Sequence, residues 1–316
     1  MYQNPYQAPR DAPEAGDELD PDYSPPWRAR PRIWTALLAP VVAFCAAMAI
    51  SVAIGIVWAI VLIESGEPFS EIDAQIASVI EDPISYILLL AFGQFPFLIT
   101  PLLAAWLSPV TFRQRLGFVP SGLSAWQFVV VVLGSFVPVA IGWGLYYAAA
   151  QLVPPDESTE RLYANMTWGT VVPFIACIAL IPGFTEEILF RGYMQRRLLQ
   201  RWSPWTAILV TSLVFAVVHM ELHTVAFALP LGIWLGWVAW KTDSIWPCIA
   251  THAAVNAGWN IVACGMELTG TETLPLPLIL GASAVGLAAT VAAVRILQAR
   301  RLNPEADIVA SYATLR

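Results

Sequence analysis

The stretch from Ile33 to Ile63, IWTALLAPVVAFCAAMAISVAIGIVWAIVLI, runs for thirty-one residues without a formal charge. About 20 apolar residues suffice for a helix to cross the hydrocarbon core, so this segment is long enough to span with some tilt. A second uncharged run, of thirty residues, lies between Asp82 and Arg113. Across its 316 residues the chain is 58% hydrophobic and only 12% charged, with a mean hydropathy of +0.64. A soluble domain carries about a quarter charged residues, so packing in water does not account for this composition. Strands of such length would leave open edges in lipid, whereas helices close their own backbone hydrogen bonds. The reading is an all-α, polytopic membrane protein.

Working outward from that stretch, eight apolar spans are expected, at 33–63, 84–110, 119–153, 163–185, 203–220, 225–240, 245–265 and 274–294. Pro40, Pro96, Pro138, Pro173 and Pro230 fall inside spans and mark expected kinks. Neighbouring helices can satisfy the carbonyls that a proline frees. Arginines or lysines (Arg28, Arg30 and Arg32; Arg113 and Arg115; Arg196, Arg197 and Arg201; Lys241; Arg295, Arg300 and Arg301) flank alternate ends of the spans. Acidic residues such as Glu64, Glu81, Asp156, Glu221 and Glu267 occupy the loops between them. The positive-inside rule then puts both termini in the cytoplasm of a cell-membrane protein.

The first 32 residues hold seven prolines and mixed charge. They have too little apolar surface to fold and are expected to form a disordered cytoplasmic tail rather than a cleavable signal. The expected organisation is the tail at 1–32, three spans and their loops at 33–160, a catalytic core at 161–266, and a last span with a cytoplasmic tail at 267–316. The net charge of −7 is sorted by position, and no basic stripe suggests nucleic acid. Four cysteines (Cys45, Cys177, Cys248 and Cys264) lie in or beside apolar spans without paired spacing, as small packing residues do.

Ionisable residues at membrane depth gather between 186 and 256. Three patterns stand out: Glu186-Glu187 with Arg191, Phe215 with His219, and His252 with Asn256. In each, residues four apart share one helical face. Glu187 and Arg191 are placed to pair, which turns Glu186 to another side, where an unpaired carboxylate suits a general base. Buried charge in a bilayer costs about 2.5–3.5 kcal/mol per residue on insertion scales, so its default reading is functional. Counting from the turn near Trp202 sets Glu186 and His219 level in an antiparallel hairpin. Span five is then too short to cross alone, and residues 220–224 are expected to turn within membrane depth, beside a cavity open to the cytoplasm. Gln94 is the main polar residue of the first three spans and is expected to be a satisfied interhelical amide.

In order and spacing, these three patterns resemble those of the CAAX prenyl protease and bacteriocin-processing family, the type II CAAX endopeptidases. The resemblance covers about residues 165–265. It implies an intramembrane endopeptidase acting on membrane-tethered or membrane-spanning protein substrates. On that resemblance Glu186 activates water, His219 positions it or binds a metal, and His252 and Asn256 stabilise the oxyanion. Glu187 and Arg191 brace the first pattern, with Phe215 stacked beside His219. Glu186, His219 and His252 form an adequate three-ligand set for Zn²⁺, and they serve equally in a metal-free glutamate mechanism. The alternatives are a non-catalytic scaffold or bacteriocin-immunity protein of the same fold, a transporter or proton relay, and haem ligation by the two histidines. His223 and Glu221 lack a pattern and are expected to be exposed at an interface.

Overall fold

The computed structural model describes residues 32–300 except 67 and 108–111. Nearly all of the expected N-terminal tail, and the chain beyond 300, lie outside the described residues.

Among the described residues every regular element is helical. Helix α1 (Ile33–Glu64) contains Pro40 without breaking. A 3₁₀ turn (Phe69–Glu71) leads into the short α2 (Ile72–Glu81). The Asp82 carboxylate accepts from the Ser85 amide and starts α3 (Pro83–Trp106) with proline in its first turn, where the missing N–H costs nothing. The small α4 (Phe112–Leu116) carries Arg113 and Arg115. The expected third span is two helices, α5 (Ala125–Leu133) and α6 (Phe136–Ala150), divided at Gly134 and Ser135. Helix α7 (Ser158–Ala164) is a short loop helix.

The fourth span departs most from expectation. Helix α8 (Trp168–Glu187) does not stop near 185; it continues through a π-helical segment, Ile188–Gln195, into α9 (Arg196–Leu199). Its glutamates therefore sit inside a long apolar helix rather than at its end. Every residue of the π segment is buried, and such segments recur at functional sites. Helices α10 (Pro204–Val217), α11 (Leu222–Thr242), α12 (Trp246–Thr269) and α13 (Leu276–Ala299) complete the chain.

Among the described residues six helical stretches are long and apolar enough to cross a membrane: Ile33–Glu64, Pro83–Trp106, Ala125–Ala150, Trp168–Leu199, Leu222–Thr242 and Leu276–Ala299. The chain is a multi-pass membrane protein. The expected count of eight is not met by length and composition. The two spans that fall out are α10, which has only 14 residues, and α12, whose apolar run is interrupted by His252, Asn256 and Asn260. These two segments bring the predicted histidines, one at the end of α10 and one within α12. Polar groups that carry chemistry lower the apolar signal of the helix that presents them.

The core lies where α10 and the π segment meet α11, α1 and α3, with Phe190, Phe215, Leu189, Met194 and Ile208 fully or almost fully buried. Helix α8 packs against α12 and α3. The α8–α12 approach is close because position 183 is glycine: a Cβ there would meet the Ala253 backbone nitrogen at 3.1 Å.

Candidate active site

Glu186 and Glu187 are adjacent on α8 and almost fully buried, yet their partners differ. The Gln94 amide of α3 donates to Glu186 Oε1 at 2.7 Å, and the Thr185 hydroxyl donates to Gln94 Oε1 at 2.5 Å. Gln94 is therefore the satisfied interhelical amide expected of it, and it also fixes one oxygen of Glu186. The other oxygen, Oε2, is buried with no hydrogen-bond partner in the protein. Carboxylate oxygens are strong acceptors, and one buried without a partner is costly.

Glu187 is enclosed. Its Oε1 accepts from Arg191 Nη1 at 2.9 Å, the i,i+4 pair expected from the sequence, with both side chains fully buried. The same oxygen lies 2.9 Å from His252 Nδ1. A carboxylate that already accepts from arginine is acceptor-only, so Nδ1 of His252 carries the proton and donates. The imidazole is thereby oriented, and its Nε2 is left for other chemistry. Arg191 Nη2 also donates to the Gly232 carbonyl at 3.2 Å, and its guanidinium lies 4.3 Å over the Phe215 ring.

His219 follows the end of α10, in a tight turn at 218–221, one to two residues earlier than expected. Its Nδ1 lies 3.0 Å from the Phe215 carbonyl and 3.3 Å from that of Ala216. Carbonyls only accept, so Nδ1 holds the proton, and in the neutral ring Nε2 presents its lone pair. Met220 closes the turn with φ of 63°, in the left-handed region.

Phe215 joins the two halves. Its ring meets His219 edge-on at 5.3 Å and His252 at 5.7 Å between centroids. Glu186 and His219 line one cavity of about 230 Å³, together with Phe44 and Ala47 of α1 and Gln94 and Phe97 of α3. His252 is not on that lining and reaches the group through Glu187 and Phe215. Asn256 is half-buried, and one of its amide hydrogens goes to the Ile178 carbonyl at 3.1 Å. The seven residues thus belong to one neighbourhood, in which Glu186 shares a cavity lining with His219 but not with His252.

A three-ligand Zn²⁺ set of Glu186, His219 and His252 does not fit this arrangement. Among the described residues no three histidine, cysteine, aspartate or glutamate side chains are arranged to hold a metal ion. His252 is tied instead to Glu187.

Sequence reasoning missed Thr185, and it singled out Gln94 without linking it to Glu186. Thr185 and Gln94 build the Glu186 support, and the only signal was an amide alone in three apolar spans. His223 also departs from expectation: it is buried, with Nδ1 3.2 Å from Glu221 Oε1 and Nε2 against the Val153 carbonyl. It ties α11 to the end of α6 and stands apart from the Glu186 cavity.

Residues 168–258 match the family model of the type II CAAX prenyl endopeptidase, Rce1-like. The match begins with α8 and ends just past Asn256, so it takes in all seven predicted residues. An uncharacterized 24.3 kDa protein of Escherichia coli is 29% identical over 92 residues, which cover 28% of this chain and 42% of that protein. The chain thus spans less than half the length of that relative. No solved structure matches the chain.

Proposed function

We propose that this chain is an intramembrane endopeptidase of the CAAX-protease type that hydrolyses peptide bonds in membrane-tethered or membrane-spanning proteins. The observation that carries the reading is the pair of acceptors in one cavity, Glu186 Oε2 without a protein partner and the Nε2 lone pair of His219. A water molecule has two hydrogens to give, and two such acceptors hold it with its oxygen lone pairs free. Glu186 then takes one proton as that oxygen attacks the scissile carbonyl carbon. The carbonyl π-electrons move to oxygen, giving a tetrahedral oxyanion. Glu186 returns the proton to the amide nitrogen as the C–N bond breaks.

His252 and the second amide hydrogen of Asn256 serve as the oxyanion donors. His252 Nε2 donates when both ring nitrogens carry hydrogen. Fixed donors in a dry site are worth far more than in water. Every step uses only side chains and water, so chelation with EDTA is expected to leave turnover unchanged.

The match to an endopeptidase family supports this reading, as does the apolar setting, which excludes bulk water except through a cavity. Basic residues flanking the first and last spans support, by the positive-inside rule, a reading with both termini in the cytoplasm of a cell membrane. The test is cleavage of membrane-anchored peptides, a prenylated CAAX peptide among them, by reconstituted wild type and by Glu186→Gln, His219→Ala and His252→Ala. Losses of about 10²–10⁴-fold are expected where a general base or its partner is removed. Equal cleavage by wild type and Glu186→Gln would overturn the assignment of Glu186, and no cleavage by the wild type would leave a non-catalytic scaffold as the better reading.

A further inference from the structure

A groove of about 320 Å³ opens between α1 and the end of α3, away from the Glu186 cavity. Trp34, Leu38, Val42 and Leu107 line it and are all exposed. Its remaining wall includes Tyr193 and Arg197, from the π segment and α9. Arg197 is an unusual wall for an apolar groove. Only 7% of it is exposed, its guanidinium stacks 4.0 Å over the Tyr193 ring, and Nη1 donates to the Thr35 hydroxyl at 2.9 Å. Its Nε is buried with no hydrogen-bond partner, and among the described residues no carboxylate pairs with it.

The surrounding charge is also positive. Arg196 next to it is taken by Asp243 at 2.6 Å. Burial and the charges of Arg197 and Arg196 push the Arg115 guanidinium down to about 10. Buried cations normally have an anion beside them. Among the described residues no carboxylate stands beside Arg197, and the groove above it is lined by exposed apolar side chains. The molecule that carries an anion on an apolar body at this depth is a phospholipid.

We propose that this groove holds one anionic phospholipid, with its phosphate on Arg197 and an acyl chain along α1 past Leu38 and Val42. Guanidinium groups bind phosphate through charge-assisted, often paired hydrogen bonds, which a buried Nε is placed to complete. A phospholipid supplies both an anion for the guanidinium and an apolar body for the groove walls. It would also tie α1 to the helix that carries Glu186, since Thr35 and Arg197 already meet here.

The full chain, delipidated in neutral detergent, is offered phosphatidylglycerol or phosphatidylcholine of the same acyl length and read by native mass spectrometry. Phosphatidylglycerol is expected to be retained about fivefold more tightly, as one arginine at the headgroup implies. Arg197→Gln should bring it to the phosphatidylcholine level. Leu38→Trp should do the same by filling the groove, with the guanidinium intact and the fold checked by melting. Equal retention of both lipids by the wild type, or undiminished phosphatidylglycerol retention by both variants, would overturn the proposal. So would displacement of the lipid by inorganic phosphate alone, which would mark a simple anion site. A final arm places Asn or Gln at the tail acids Asp11, Glu14, Asp17, Glu18, Asp20 and Asp22. Unchanged lipid retention supports the lipid, whereas a strong rise makes the tail the natural occupant and sinks it.

Discussion

His252 Nδ1 on α12 and Glu187 Oε1 on α8 lie 2.9 Å apart, and that same oxygen accepts Arg191 Nη1 at 2.9 Å. One buried carboxylate therefore serves two cationic or proton-donating partners from different parts of the chain. Neither Glu187 nor Arg191 has any exposed surface. The pair is thus a device for orientation as much as for stability, because buried ion pairs often contribute little net free energy.

Removing one partner is a different matter from replacing both. Glu187→Ala strands a buried guanidinium and should destabilise the protein by about 3–5 kcal/mol. A double variant, Glu187→Leu with Arg191→Met, should melt much closer to wild type. It still lacks the acceptor for His252 Nδ1, so its proteolysis should stay low. A double variant with both stability and proteolysis restored would show that Glu187 does not orient His252.

Gln94 makes a sharper test of support without chemistry. Gln94→Leu leaves Glu186 Oε1 without its partner, at a cost of about 1–3 kcal/mol, whereas the Thr185 hydroxyl keeps its bond to the Ile181 carbonyl at 2.9 Å. Proteolysis should fall, but by less than in Glu186→Gln, because the base itself remains. Thermal melting and initial rates on the same preparations separate the two effects. If Gln94→Leu matches Glu186→Gln in rate loss while melting like wild type, Gln94 acts on substrate rather than on Glu186.

The helix pairing that carries the relay has its own weak point at Gly183, where a Cβ would press on the Ala253 backbone at 3.1 Å. Gly183→Leu should force α8 and α12 apart and cost about 1–3 kcal/mol from overpacking. It should also lower proteolysis by drawing His252 away from Glu187. Gly183→Ala, which needs only a few tenths of an ångström of yielding, should be mild in both respects. A fully active Gly183→Leu would show that the helix approach does not set the His252 geometry.

These relationships divide by how local they are. The Glu187–Arg191 pair, the Phe215–His219 contact and the turn after a short fifth span were legible because each rests on i,i+4 spacing or on helix length. The helical class followed from uncharged runs alone. What the sequence hid was long-range. Gln94 meets Glu186 across 92 positions, and His252 chooses Glu187 over Glu186 through the α8–α12 approach. The run of α8 through its own glutamates was hidden for a related reason. Charge normally ends an apolar span, but here Arg191, His252 and Gln94 supply internal partners that let the helix continue. His223 was misplaced because nothing local tells that the Val153 carbonyl comes down upon it.

The turn that presents His219 stores strain at its neighbour. Met220 adopts φ of 63° with its side chain 70% exposed, so no packing in the protein requires methionine there. A non-glycine residue in this region costs about 1–2 kcal/mol. Met220→Gly should therefore be neutral or stabilising, with the glycine's greater freedom in the unfolded chain offsetting part of the relief. Met220→Val should be worse than methionine, because a β-branched residue tolerates the left-handed region least. If the turn sets where His219 Nε2 points, Met220→Val should also reduce proteolysis while Met220→Gly preserves it. A valine variant that melts and cleaves as wild type does would mean that the turn relaxes freely, and that His219 is held by its contacts with Phe215 alone.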